Sequence, residues 1–131
     1  MKVKGIARET LEFILGVSKA SAPNEFAGLL QAEEGVITEV LILPGTESSD
    51  QNAVIKLFMM PNVSSVGSIH SHPGPIITPS KADLRLFGKT GSYHIIVGAP
   101  YDENSWQCYN ADGEPIDLPV LDVELDEPEI I

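Results

Sequence analysis

The sequence has a single cysteine and few basic residues. Cys108 is alone among 131 residues, so no disulfide can form within the chain, and we expect it to be a buried strand residue rather than a catalytic thiol. Eight lysines and arginines stand against 19 aspartates and glutamates, which gives a formal net charge of −11. Sequence-independent binding to nucleic acid depends on basic side chains that neutralise phosphates. A nucleic-acid partner is therefore disfavoured.

Long apolar runs are lacking as well. No stretch of about 18 residues is apolar enough to cross a bilayer, and no basic leader precedes an apolar signal segment. We therefore expect a soluble, unexported, cytoplasmic protein that has no membrane partner. A length of 131 residues suits one domain. The charge pattern divides the chain into a domain over residues 1–120 and an acidic C-terminal tail over residues 121–131.

The order of predicted elements indicates an α/β protein, more narrowly α+β, in which helices flank a mixed β-sheet. Apolar residues at helical spacing predict helices over residues 8–19 and 81–87. Apolar or alternating segments predict strands over residues 26–31, 36–43, 53–58, 66–70, 93–97 and 105–109. A hairpin turn at residues 33–35 joins the first two strands. Apolar residues that alternate with acids at 121–125 predict an edge strand in the tail.

The segment from His70 to Asp83 carries the most informative chemistry. His70 and His72 stand two residues apart at a predicted strand end, where side chains alternate, so both imidazoles lie on one face and can bind one ion. Asp83 follows on the first turn of a predicted helix that Ser80 is placed to cap. Two neutral imidazoles and one carboxylate suit Zn²⁺ and leave a tetrahedral position for water. The sequence therefore predicts a zinc hydrolase.

Each part of this pattern has a second interpretation. A lone H-x-H pair is weak evidence for a metal, and Ser80 with Asp83 also matches a capping pair that only satisfies the free amides of a helix start. Two histidines and a carboxylate are in addition the ligand set of iron oxygenases, which the residue types leave open. Zinc deaminases are disfavoured, because they bind zinc through more cysteines than this chain has. His94, the third histidine, is expected to pack or bond within its strand.

Taken together, these residues resemble the JAMM or MPN+ metalloprotease family. The family pattern is an upstream glutamate, then H-x-H-P, then S-x-x-D after a gap of seven residues. His70, His72, Ser80 and Asp83 match this spacing, and a proline follows the second histidine. The resemblance covers roughly residues 1–110. It implies the fold of that family, which is similar to the cytidine deaminase fold.

The resemblance also implies roles for individual residues. Residues 24–30 match the segment that contains the upstream glutamate of the family, so Glu25 would lie outside the metal shell, hydrogen-bonded to the bound water. There it would act as general base and then general acid. Ser80 would help to stabilise a tetrahedral oxyanion. One Zn²⁺ per chain would be bound by the two histidines of the motif and Asp83.

The activity implied by the resemblance is hydrolysis of the peptide or isopeptide bond after the C-terminal Gly-Gly of ubiquitin-like modifiers. Such modifiers and their conjugates would be the partners, and the compact length resembles stand-alone archaeal-type members. The candidate substrate contacts are apolar residues in or near the glycine- and proline-rich loop: Met59, Met60, Pro75, Ile76 and Ile77. The alternative from another class is a catalytically silent scaffold of the same fold.

Overall fold

The computed structural model describes residues 2–42 and 65–125. The elements, in chain order, are β1 (Gly5–Ala7), α1 (Arg8–Ser21), β2 (Ala27–Glu33), β3 (Val36–Ile42), β4 (Gly67–Ser71), α2 (Lys81–Thr90), β5 (Tyr93–Val97), β6 (Trp106–Tyr109), β7 (Pro115–Ile116) and β8 (Val120–Leu121). The strands form one mixed sheet in the order β7-β6-β5-β4-β2-β3-β1-β8. Strand β4 lies inside the sheet, antiparallel to β2 and parallel to β5. The predicted α+β class is confirmed.

Predicted and observed elements agree closely where both can be compared. Helix α1 begins where predicted and extends to Ser21, and α2 extends to Thr90. The predicted hairpin joins β2 to β3, and Glu34 and Gly35 in its turn have φ angles of 52° and 82°. The predicted strand over residues 53–58 lies outside the described residues. Strands β1 and β7 contain three and two residues, too few for a pattern to predict them.

The C-terminal edge strand is shorter than predicted. The pattern predicts residues 121–125, whereas β8 spans Val120–Leu121 and pairs in parallel with β1. Residues 122–124 are exposed. Residues 126–131 of the predicted tail lie outside the described part of the chain.

Helices α1 and α2 cover opposite faces of the sheet. Helix α1 buries Leu11, Ile14 and Leu15 in a core cluster that also contains Ile69 of β4 and Ile95 of β5. Burying each such side chain stabilises the fold by about 1.5–3 kcal/mol. A second cluster on the other face comprises Phe87 of α2, Ile96 of β5, and Tyr109 of β6. Because neighbouring strand residues face opposite sides, β4 is covered on both faces, and the residue after Ile69 is buried under α2.

Strands β4 and β5 approach each other closely at their start. A Cβ atom on Gly67 would lie 1.4 Å from the backbone oxygen of Tyr93. Gly91, which ends α2, has a φ of 122° and lies against the backbone of Val66. Two glycines thus allow the chain to leave α2 and enter β5 directly beside β4.

Cys108 is a buried residue of β6, as predicted. Burial raises the pKa of its thiol to about 12. The side chain therefore stays protonated and packs as a small apolar group. Among the described residues, neither helix has the length and apolar character needed to span a membrane.

Candidate metal centre

Three side chains from β4, its end and α2 converge at one point. His70 is the penultimate residue of β4, His72 follows the strand, and Asp83 lies in the first turn of α2. The Nδ1 atom of His70 lies 3.0 Å from Oδ1 of Asp83, and Nε2 of His72 lies 3.4 Å from Oδ2. One ligand atom from each residue lies within 4.8 Å of the other two. The predicted convergence of the H-x-H pair and the aspartate is confirmed.

The start of α2 fixes the position of the carboxylate. The Oγ atom of Ser80 accepts a hydrogen bond from the backbone nitrogen of Asp83 at 3.1 Å. In return, Oδ2 of Asp83 accepts from the backbone nitrogen of Ser80 at 2.8 Å. This reciprocal pair is a capping box, and it confirms Ser80 as the N-cap. Capping and metal binding are compatible, because the box leaves Oδ1 directed at His70.

Unsatisfied buried atoms test whether a metal fits this group. Nε2 of His72, Oδ1 of Asp83 and Oε2 of Glu25 are buried, and apart from the ion-pair contacts within this group none of them has a hydrogen-bond partner among the described residues. A buried polar atom without a partner costs about 1–3 kcal/mol, and a cation bound by the cluster would offset this cost. Two imidazole nitrogens and a carboxylate oxygen are the donors that zinc prefers. The residues therefore fit one zinc ion.

The electrostatics of the cluster keep Asp83 ionised. Burial alone would raise the pKa of Asp83, but the neighbouring imidazoles of His70 and His72 lower it well below its ordinary value. For His72, burial lowers the pKa, while Asp83 and the carbonyl of Ile76 outweigh burial and raise it. A carboxylate that stays charged is the form that binds a cation.

Glu25 lies beside the three ligands without being one of them. It precedes β2 by two residues, it is 6% exposed, and its Oε2 atom lies 3.6 Å from Nε2 of His70. A cleft of about 300 Å³ opens next to it, lined by Glu25, His72, Pro73, Gly74, Pro75 and Ile76. Glu25 and His72, a member of the cluster, thus both line the cleft. Its role as general base stays a prediction.

The predicted substrate contacts fall into three groups. Pro75 and Ile76 are exposed in the wall of the cleft, and Ile76 is 69% exposed. Ile77 packs instead against the cluster around Phe87, and its carbonyl accepts a 2.6 Å hydrogen bond from the hydroxyl of Tyr109. Met59 and Met60 lie outside the described residues. Substrate contact by any of the five stays a prediction.

His94 packs within the fold and is not part of the ligand cluster, as predicted, but its ring bonds to β4 and to the end of α2 and not within its own strand. Its Nδ1 lies 2.8 Å from Oγ of Ser68, and its Nε2 lies 2.8 Å from the carbonyl oxygen of Gly91. The ring stacks on Phe87 with centroids 4.2 Å apart. Burial lowers the pKa of His94 to about 4. The imidazole is therefore neutral near pH 7.

Two residues that support the site do not follow from the sequence pattern. Ser71 Oγ accepts a hydrogen bond from the backbone nitrogen of Phe26 at 2.7 Å. The hydroxyl of Tyr101 donates to the carbonyl oxygen of His72 at 3.0 Å, and Tyr101 has a φ of 65°. The position of Ser71 between the two histidines is the one sequence signal that could indicate it. Nothing local predicts Tyr101, because a left-handed tyrosine opposes ordinary backbone preference.

Known proteins are similar to this chain over nearly its whole length. Residues 8–109 match the family model described as prokaryotic homologs of the JAB domain. The chain is 44% identical, over 139 aligned positions, to a "Probable metalloprotease" of Haloferax volcanii, covering 98% of this chain and 86% of that protein. A JAB1/MPN domain protein from Archaeoglobus fulgidus has a solved structure that is 40% identical, with a TM-score of 0.75 and coverage of 93% and 100%.

A further solved structure is similar to the same extent. It is described as "JAMM: A Metalloprotease-like Zinc Site in the Proteasome and Signalosome", is 39% identical, and aligns with a TM-score of 0.75. The alignment covers 92% of this chain and all of that one. Sequence and backbone similarity thus include every element that carries a residue of the ligand cluster.

Proposed function

This chain belongs to the family of prokaryotic homologs of the JAB domain, and on that premise we propose a zinc metallopeptidase that acts on ubiquitin-like modifiers. The bond cut is the peptide or isopeptide bond after the C-terminal Gly-Gly of the modifier. One observation carries the proposal: a largely buried His-His-Asp cluster stands beside Glu25, a carboxylate that is not part of the cluster and lines a cleft. The metalloprotease class of the similar Haloferax volcanii protein supports it.

The zinc ligands are His70, His72 and Asp83, and three protein ligands are typical of a catalytic rather than a structural zinc site. Zinc at this position supplies Lewis-acid chemistry, which polarises a carbonyl and lowers the pKa of water to about 7. The chain itself holds the ligands rigid. Asp83 is fixed by the capping box, and His72 is held through its backbone by Tyr101.

Glu25 performs the proton transfers in this proposal. Its carboxylate takes a proton from the attacking water and delivers it to the leaving nitrogen. Oε2 of Glu25 is buried, and no hydrogen bond from the described residues occupies it. Ser80 is fixed at the start of α2 by its bond with Asp83. From there its hydroxyl donates to the oxyanion that develops on the scissile carbonyl.

The shape of the cleft supports a substrate with small residues at the cut bond. The space beside Glu25 is about 300 Å³, bounded by a loop that contains Pro73, Gly74 and Pro75. A Gly-Gly tail has no side chains to collide with these walls, and it can approach in an extended form. Ile76, which is 69% exposed, contacts the body of the modifier in this proposal. Modifiers and their conjugates are thus the proposed partners.

The test uses zinc-loaded protein and three substrates: an isopeptide-linked modifier, a linear modifier fusion, and an unrelated peptide. We expect release of a modifier that ends in Gly-Gly, and we expect a chelator to abolish the release. A modifier that ends in Ala-Ala is the matched substrate control and should be cut slowly. Equal cleavage of all substrates would refute the modifier specificity alone. Full zinc loading without cleavage of any substrate would refute the proposed peptidase activity and support a catalytically silent scaffold.

A further inference from the structure

Ser71 is a buried serine that lies between the two histidine ligands. Side chains alternate along β4, so Ser71 faces the α1 side of the sheet while His70 faces Asp83 on the other side. Its Oγ accepts a 2.7 Å hydrogen bond from the backbone nitrogen of Phe26. Its own backbone nitrogen donates to the Phe26 carbonyl at 2.8 Å. Two hydrogen bonds therefore join Ser71 to the residue that follows Glu25.

The bond from Phe26 to Ser71 restrains the backbone of Glu25. The nitrogen that donates belongs to the peptide plane shared by Glu25 and Phe26, so fixing that plane fixes the Cα of Glu25. The Phe26 side chain is buried in the α1 core cluster, which holds the other end of the residue. From this anchored backbone, the Glu25 carboxylate reaches to 3.6 Å from Nε2 of His70.

The hydroxyl bond is separate from the bonds that pair the two strands. The β2–β4 ladder covers four residue pairs, from Ala27 opposite His70 to Leu30 opposite Gly67. The Ser71 hydroxyl bonds the backbone of Phe26, which precedes β2, so this hydrogen bond lies outside the four ladder pairs. Removing the hydroxyl should therefore leave the sheet register intact. Its effect should be confined to the segment that carries Glu25.

We propose that Ser71 is a positioning residue for Glu25, acting through the Phe26 backbone and not through the metal. The inference rests on the proposed function, in which Glu25 transfers protons. Proton transfer requires donor and acceptor atoms about 2.6–3.2 Å apart. A displacement of about 1 Å at a reacting group can cost about 10²-fold in rate. A small shift of the Glu25 segment is thus expected to lower kcat while the ligand cluster stays unchanged.

The kinetic test compares Ser71→Ala with Ser71→Thr, in which the hydroxyl is retained. For Ser71→Ala we expect kcat to fall about 10-fold to 100-fold, KM to change less than about twofold, and zinc affinity to stay at the wild-type value. Ser71→Thr should recover most of kcat. The matched control is Thr10→Val, which removes another buried hydroxyl bond, 2.9 Å from Thr38 O and remote from the site. It should lower Tm and leave kcat unchanged.

Two further measurements separate this role from a general structural one. In a Glu25→Gln background, adding Ser71→Ala should lower the residual rate no further, because Ser71 acts through Glu25. Crystal structures of the zinc-loaded wild type and Ser71→Ala should show the Glu25 carboxylate displaced and His70, His72 and Asp83 unmoved. Should Ser71→Ala fail to fold, Ser71→Cys replaces it, since its thiol is a weaker acceptor of similar shape.

The possible failures can be told apart. Hydrolysis absent from the wild type refutes the proposed function, and the position of Glu25 in the Ser71→Ala structure then decides on Ser71 by itself. An unmoved Glu25, or a loss of zinc affinity that accounts for the whole loss of kcat, overturns the positioning role. A further rate loss in the Glu25→Gln background overturns it as well.

Discussion

Replacing His94 by phenylalanine should change how the stability of the protein depends on pH. His94 is 0% exposed and bonds Ser68 of β4 through Nδ1 and Gly91, at the end of α2, through Nε2. The network therefore connects the strand that carries the histidine ligands to the helix that carries Asp83. Phenylalanine keeps the ring that stacks on Phe87 and removes both nitrogens.

The network fits a neutral imidazole. The Gly91 carbonyl can only accept, so Nε2 carries the proton, and Nδ1 accepts from the Ser68 hydroxyl. Burial lowers the pKa of His94 from 6.5 to about 4. Below pH 6.5 the unfolded chain therefore binds a proton at His94 that the folded chain does not, and stability decreases as the pH falls toward 4. The difference in pKa corresponds to a loss of about 3 kcal/mol.

The variant should be less stable at pH 7 and less sensitive to acid. At pH 7 the Ser68 hydroxyl loses its acceptor, whereas water can reach the carbonyl of the exposed Gly91, so we expect a total cost of about 1–3 kcal/mol. As the pH falls to 4, the wild type loses about 3 kcal/mol at His94 and His94→Phe does not. The difference in unfolding free energy between the wild type and His94→Phe should therefore shrink toward zero or change sign.

Urea unfolding of the metal-free proteins between pH 7 and pH 4 measures this difference. Other titrating groups, including His70 and His72, contribute equally to both proteins and cancel. Ser68→Ala is the control, because it removes one hydrogen bond and retains the titrating imidazole. Its deficit relative to the wild type should stay nearly constant. A His94→Phe deficit that stays constant or widens on acidification would refute the reasoning.

Three other substitutions test separate parts of the structure. Gly67→Ala places a Cβ 1.4 Å from the Tyr93 oxygen, so the free energy of unfolding should fall by at least about 3 kcal/mol in a thermal unfolding experiment. A near-native Tm would disprove the close approach of β4 and β5. Ser80→Ala removes the cap and should cost about 1 kcal/mol in urea unfolding, which an unchanged midpoint would rule out. Tyr101→Phe loses the 3.0 Å hydrogen bond to the carbonyl of His72, so zinc should bind about 3-fold to 10-fold more weakly in competition with a chromophoric chelator. An unaltered zinc affinity would exclude the support of His72 by Tyr101.

The ligand cluster could be predicted from the sequence because its geometry is local. His70 and His72 share a face through the two-residue period of a strand, and Asp83 follows Ser80 at the fixed spacing of a capping box. Both features are set by backbone geometry over a few residues. The one prediction that goes beyond local geometry is that the strand end and the helix start meet. It rests on the seven residues between His72 and Ser80, which are enough for the chain to turn back.

The supporting contacts could not be predicted because they join distant parts of the chain. Ser71 and Phe26 are 45 positions apart, and Tyr101 and His72 are 29 apart. No periodic pattern reports which backbone groups meet at the ends of two strands. The left-handed φ of Tyr101 also opposes local preference, so tertiary contacts must hold it. The same reasoning applies to β1, which is held by pairing with β3 and β8.

Zinc content and turnover, measured on one preparation of Glu25→Gln, test the central claim most directly. Glu25 lies beside His70 and outside the His-His-Asp cluster, so the account predicts one zinc ion per chain, as in the wild type. Without the general base, release of the modifier should fall about 10²-fold to 10⁴-fold. Asp83→Asn, measured in parallel, should lose the zinc as well. A Glu25→Gln protein that keeps its zinc and cleaves at the wild-type rate would contradict the account.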